Sequence, residues 1–229
     1  MPFFADLDNR IEACRVAHGI PEEDLIYDWS LSKRQIERLS PYLTGINIEQ
    51  IGTEDGTVRL FRNFNLELRR TVETDNINET ANVIKAIISH WGGINGNKRE
   101  RLESYARQLN IIGKLSDRGQ EVAMEEFYYS TQDGIASWSK ILAAWEPDTF
   151  FIYDANVAVA LQTLYIRRYL FFLPPSEAEA VKTYYRNQFN NLGEAEYVDY
   201  RGYCDELRRL GNGNHLEKRL FMLGRRLTR

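Results

Sequence analysis

The chain has 229 residues, 43% of them apolar and 27% charged, a composition that fits one compact unit or two small lobes and can bury a core without staples. A net charge of −4 excludes a general polyanion binder, because non-specific nucleic-acid affinity comes mainly from neutralising phosphates; if DNA is bound, the positive charge must be local. Cys14 and Cys204 lie near opposite ends and form no C-x-x-C pair, so there is no disulfide framework and no zinc or iron–sulfur spacing, and both read as buried apolar residues.

Met1-Pro2-Phe3-Phe4-Ala5-Asp6 has neither the basic start nor the long apolar run of a secretory signal, and no later stretch approaches a membrane span. A cytoplasmic protein with no membrane partner is expected. Helices are predicted over 6–18 and 31–43. From 54 to 68 the pattern changes: Glu54-Asp55-Gly56-Thr57 reads as a turn, and Val58, Leu60 and Phe64 suit a short strand or a hairpin. Ile84, Ile87, Ile88 and Trp91 recur at helical spacing and predict a helix over 78–91.

Gly92-Gly93-Ile94-Asn95-Gly96 then reads as a loop, with Asn97 as the cap of a helix over 98–110 whose apolar stripe is Leu102, Tyr105, Ala106 and Leu109. Lys98, Arg99 and Arg101 at its start, with Arg107, form one candidate basic patch, and the N–H groups of the loop and first turn can touch a phosphate. Further helices are predicted over 118–129, 135–145, 155–168, 176–191, 198–210 and 215–227, the fourth of these opened by the capping box Ser176-Glu177-Ala178-Glu179. The last carries an apolar stripe of Leu216, Leu220, Phe221 and Leu223. Over the final fifteen residues Lys218, Arg219, Arg225, Arg226 and Arg229 outweigh Glu217, which makes a second candidate basic patch. Without internal repeats or linkers, residues 1–229 are expected to form a single unit, with 1–75 of unassigned role and a helical core over 76–229. The class is mainly α.

The chemistry gathers between Asp133 and Val157. Pro147 ends the helix 135–145, since the residue before a proline is pushed out of the α region. Phe150, Phe151, Ile152 and Tyr153 form an aromatic extended run that stops at Asp154, an N-cap for a helix whose apolar side includes Val157, Leu161 and Leu164. Capping and catalysis are compatible here, because backbone N–H groups and the helix dipole favour a carboxylate at that end.

These residues resemble the helix-hairpin-helix DNA glycosylase superfamily, and more closely the bacterial proteins with an 8-oxoguanine-glycosylase-like fold. Gly134-Ile135-Ala136 stands where the superfamily has its Gly-hydrophobic-Gly hairpin, Lys140 stands near its lysine, and Ile152-Tyr153-Asp154-Ala155-Asn156-Val157 looks like its aspartate motif. Trp91-Gly92-Gly93-Ile94 is similar to a feature of the bacterial group, and Leu216-Glu217 to Leu220-Phe221 is a further partial match. The chain departs from the pattern in three places. Ala136 replaces the second hairpin glycine; Lys140 falls two residues late and only fourteen before Asp154; and the cysteine cluster that holds an iron–sulfur centre in some relatives is absent, which implies a member without one.

The resemblance implies a mainly α, glycosylase-like fold of two helical lobes around a cleft, and an enzyme that flips a damaged or modified base out of duplex DNA and cleaves its N-glycosidic bond. The base is an oxidised purine, or a bulky modified cytosine of phage DNA in a defence role. Asp154 is then the central catalytic group. Lys140 is the second, either as an amine that attacks the sugar and permits strand cleavage or as an ammonium that holds phosphate. Trp138, Tyr153 and Trp91 are candidate stacking walls for the base, with core packing as the other use of such rings. Gly134, Ala136, Ser137, Ser139, Lys98 and Arg99 are the candidate DNA contacts. DNA is the expected partner of a monomer. No cofactor is expected, and no metal, since His18, His90 and His215 stand apart. Two other readings stay open: a non-catalytic helix-hairpin-helix DNA binder in which Asp154 only caps, and a helical interaction module that presents Tyr184, Tyr185, Tyr197, Tyr200 and Tyr203 to a protein partner.

Overall fold

Every regular element among the described residues is helical, and none of them is a strand. The computed structural model describes residues 4, 6–115, 124, 135–164 and 197–228. Nine α-helices lie within that set: α1 (Leu7–Ala17), α2 (Lys33–Leu39), α3 (Glu54–Glu73), α4 (Ile77–Lys85), α5 (Arg99–Gly113), α6 (Ile135–Trp145), α7 (Ala155–Thr163), α8 (Tyr197–Arg209) and α9 (Gly213–Leu227). The helices expected over 118–129 and 176–191, and the end of the one over 155–168, lie outside the described residues. No helix among the described residues is long and apolar enough to cross a membrane.

The segment from Glu54 to Leu68 overturns the expectation of a strand or hairpin, because it is the greater part of the 20-residue helix α3. The Thr53 side chain caps it by accepting from the Gly56 N–H at 3.2 Å, and Glu54 and Asp55 place negative charge at its positive end. Burial follows the helical period: Thr57, Leu60, Phe61, Phe64, Leu68, Thr71 and Val72 are buried, while Val58 is only half-buried. Gly56, read as a turn residue, is needed for close approach instead. A Cβ there would stand 1.8 Å from the Gln50 carbonyl oxygen.

The helix predicted over 78–91 is α4 followed by a π-helical turn, Ala86–Trp91. Such turns leave carbonyls out of the regular ladder. Here the Gln35 side-chain amide donates to His90 O and the Trp29 indole N–H to Trp91 O, both at 2.9 Å. Asn97 does not cap the next helix. The N-cap of α5 is Lys98, which makes no side-chain capping bond, so the chain enters that helix one residue later than expected.

The helices divide between two units, one joining Met1–Tyr27 to Phe151–Arg229 and the other spanning Asp28–Phe150. In the Asp28–Phe150 unit α3 packs on α4, α5 and α6, around Leu60, Phe64, Ile84, Ile87, Leu109 and Trp138. In the other, α9 packs on α7, α1 and α8, around Leu7, Ile11, Val157, Leu161, Tyr203 and Leu220. Both cysteines are free thiols. Cys204 is buried in α8 and its thiol is pushed up to about 12 by burial; Cys14, half-buried on α1, is raised by burial too. Since only the thiolate reacts, native protein treated with iodoacetamide at neutral pH should be modified slowly at Cys14 and at Cys204 only after denaturant is added. Peptide mass mapping checks this, and rapid native labelling of Cys204 would contradict its burial.

Candidate functional site

Asp154 is held from both directions along the chain. Helix α6 stops at Trp145, and in the following turn the N–H groups of Thr149 and Phe150 both donate to Glu146 O at 3.0 Å. From Phe151 to Asp154 the backbone is non-helical, and two tyrosines of α8 fasten it: the Tyr200 hydroxyl donates to Phe151 O at 2.8 Å and the Tyr203 hydroxyl to Ile152 O at 3.1 Å. The buried Tyr153 ring meets Tyr203 edge-on, with centroids 5.6 Å apart. Burial drives the Tyr203 phenol well above its ordinary range, with the negative charges of Glu217 and Asp154 among the lesser causes. It is therefore a permanent donor at any physiological pH.

At Asp154 itself the backbone is extended (φ −135°, ψ −173°), and one carboxylate oxygen accepts from the N–H groups of Asn156 at 2.9 Å and Val157 at 3.2 Å. Those are two of the orphan donors at the start of α7. The residue is partly exposed. Just past the cap, α7 lies against α9 at Gly224, where an added Cβ would stand 1.8 Å from Asn156 O. The carboxylate thus has an ordered seat at the positive end of a helix.

The other expected site residues separate into those that face solvent and those that do not. Lys140 is buried at 4% exposure, its Nζ donating to Ala136 O at 2.9 Å. Its aliphatic stem runs beside Gly92, where a Cβ would stand 3.0 Å from Lys140 Cδ and 2.7 Å from Ile88 O, so the Trp91-Gly92 turn and Lys140 come together within the Asp28–Phe150 unit. Asp154 and Tyr153 belong to the other unit. Trp91, Trp138 and Tyr153 are all packed in the core; Trp91 touches Phe61 and Trp29. Stacking on a base would require one of these rings to leave that packing. Ser137 and Ser139 are buried on α6, which keeps their hydroxyls from a phosphate, whereas Ala136 is partly exposed. Ile135 and Ala136 are the first residues of α6, and Gly134 lies outside the described residues.

The two basic patches differ. Lys98 and Arg99 are exposed at the start of α5; Arg99 reaches Glu103 at 2.8 Å and Asn78 at 2.9 Å, Arg107 also reaches Glu103, and Arg101 donates to the Tyr105 hydroxyl. Surface pairs of this kind are worth about 0–1 kcal/mol and exchange partners readily. The C-terminal cluster is not an open patch. Arg219 pairs with Asp8 and Glu12 and Arg226 with Asp24 at 2.7 Å, so two of its five cations bind α9 to its own unit, while Lys218 is buried beside Glu217 of the same helix at 3.7 Å. Arg229 lies outside the described residues.

Tyr200 and Tyr203 correct the interaction-module reading, which needs them exposed: both are fully buried, with hydroxyls on the run that leads into Asp154. Tyr184, Tyr185 and the Tyr197 side chain lie outside the described residues. Sequence reasoning missed the clamping role of this pair, and Gly224 with it. Their only local signal is that Tyr200 and Tyr203 stand three apart on one helix face, which predicts a shared direction but no partner. Among the described residues no group of three His, Cys, Asp or Glu is gathered closely enough to hold a metal ion. Compared with known proteins, the chain matches no family model, no curated protein and no solved structure.

Proposed function

We propose that the protein is a DNA glycosylase that removes a damaged or modified base, with Asp154 as the catalytic carboxylate. The observation that carries this reading is the seat of Asp154: the carboxylate of a partly exposed residue, ordered by two backbone N–H groups at the start of α7, at the end of a run clamped by Tyr200 and Tyr203. A negative group fixed in that way suits a reaction in which positive charge develops on a sugar, because it needs little reorganisation as the charge appears. The glycosidic electron pair leaves with the base, a water oxygen bonds to C1′, and the water's proton passes to a base, for which the carboxylate is the candidate. The target nucleotide must first be flipped from the duplex at a cost of about a few kcal/mol. Exposed Lys98, and exposed Arg99 with its weak surface pair to Glu103, suit the phosphate contacts that would offset this cost. The substrate class carried by the resemblance is an oxidised purine or a modified phage cytosine.

Lys140 favours hydrolysis over strand cleavage in this scheme. Its amine is buried and bonded to the Ala136 carbonyl, whereas a Schiff base requires the amine to reach the sugar carbon at near-attack distance. Two outcomes follow. Borohydride should trap no covalent protein–DNA adduct, and Lys140→Met, close in volume, should keep base release within severalfold of wild type in the folded protein. A trapped adduct that disappears in Lys140→Met would instead make the amine the nucleophile.

The test of the whole reading is a panel of duplexes carrying oxidised purines or bulky cytosines, scored for abasic sites at low salt. Abasic product on at least one substrate is the expected result. Salt-sensitive binding with no product on any substrate favours the non-catalytic DNA binder, a reading with its own support, since the bonds Asp154 accepts from Asn156 and Val157 are those of an ordinary cap. Indifference to DNA removes both.

A further inference from the structure

We infer that Tyr203 and Gly224 are positioning residues for Asp154, acting on the chain just before and just after it to set the direction of its carboxylate. The inference rests on the proposed catalytic role of Asp154 and adds to it the two groups through which α8 and α9 hold that side chain. Tyr203 acts on the chain entering the cap. Its hydroxyl donates to Ile152 O at 3.1 Å, two residues before Asp154, and its ring is fixed edge-on to Tyr153 at 5.6 Å and to Phe4 at 6.1 Å. The donor is thus rigid, and its burial keeps the phenol protonated.

Gly224 acts on the chain leaving the cap. A Cβ there would stand 1.8 Å from Asn156 O and 2.5 Å from Asn156 C, far inside any real contact, so the backbones of α7 and α9 touch at this point with no side chain between them. Asn156 is also the residue whose N–H binds the Asp154 carboxylate at 2.9 Å. Any side chain at 224 must move the peptide units that supply the capping donors. Gly224 lies within α9, so no special backbone angle explains the glycine; the lack of a Cβ does. Between these two contacts the carboxylate has little freedom to swing, which is what a transition-state group needs when about 1 Å of displacement can cost a hundredfold in rate.

The experiment compares Tyr203→Phe and Gly224→Ala with wild type by residue-resolved amide exchange and by single-turnover base release. Tyr203→Phe keeps the ring and loses one hydroxyl. Exchange at the Asn156 and Val157 amides should accelerate about tenfold, roughly the factor one net hydrogen bond supplies, while interior amides of α9 such as Leu223 are unchanged. On a substrate that wild type processes, the single-turnover rate at saturating protein should fall about tenfold with the half-saturating concentration unchanged, since DNA contacts are untouched. Gly224→Ala should show both effects more strongly. Unaltered Asn156 and Val157 exchange in folded Tyr203→Phe protein, or a uniform change across the unit, overturns the inference. Should Gly224→Ala not fold, Tyr203→Phe decides alone. Should wild type release no base, the catalytic reading fails, while the exchange arm still decides whether Tyr203 and Gly224 hold the cap.

Discussion

Asp154→Asn is expected to bind DNA as wild type does and to release base at least about a thousandfold more slowly, with a melting temperature close to wild type. The separation is possible because asparagine and aspartate are comparable N-caps. The amide oxygen can accept from Asn156 and Val157 as the carboxylate does, so the substitution removes charge and leaves the seat. Asp154→Ala removes both. It should cost about 1 kcal/mol, lowering the melting temperature by about 2–4 °C, and should be as inactive as Asp154→Asn. Abasic-site assays, a binding titration and a thermal melt on the three proteins separate charge from cap. Undiminished base release by Asp154→Asn would remove the mechanism. A large loss of stability in Asp154→Asn would mean that the negative charge, rather than the hydrogen bonds, holds the start of α7.

How much of this could be read from residues alone depended on how local the determinants were. The helix expected over 135–145 is Ile135–Trp145, and Asp154 caps the helix that follows, because a proline, an aromatic run and an acid before an apolar helix act over a few residues. Helix α3 was missed for a reason that is also local. Val58, Leu60 and Phe64 fit a period of two, but Leu60, Phe61, Phe64 and Leu68 already follow a period of three to four inside the same window, and Val72 continues it. The destination of the C-terminal cations was beyond such reasoning altogether. Arg219 and Asp8 are 211 residues apart in sequence, and Arg226 and Asp24 are 202 apart, so a charge run that reads as a surface patch is in fact shared with the first helix and the turn after it. The same holds for Tyr200 and Tyr203, whose acceptors lie 49 and 51 residues earlier. The candidate aspartate was legible; the groups that aim it were not.

Lys218→Met is expected to be among the most destabilising single substitutions in the chain, costing about 3–5 kcal/mol, while Glu217→Leu combined with Lys218→Met should recover most of that loss. Neighbouring residues on a helix point about 100° apart and rarely share an environment. Here both are 5% exposed, because α9 is covered by α1, α7 and α8 around much of its circumference. Lys218 Nζ lies 3.7 Å from Glu217 Oε2 and 3.3 Å from Asn214 O, with the Tyr27 ring centroid 5.8 Å away. Removing the amine takes a cation from beside the buried Glu217, and the weaker stabilisation of that buried carboxylate adds to the loss of the contact itself. Replacing both groups by apolar side chains removes the penalty along with the attraction. Urea unfolding of the two single variants and the double variant forms a mutant cycle whose coupling term should be large and favourable. A single substitution costing under about 1 kcal/mol would mean that water reaches the pair and that α9 is less enclosed than its burial implies. The cycle also bears on catalysis, since Lys218 and Gly224 lie on the same helix: base release lost in Lys218→Met should return in the stable double variant, because α9 serves Asp154 by its place against α7 and not by its charge.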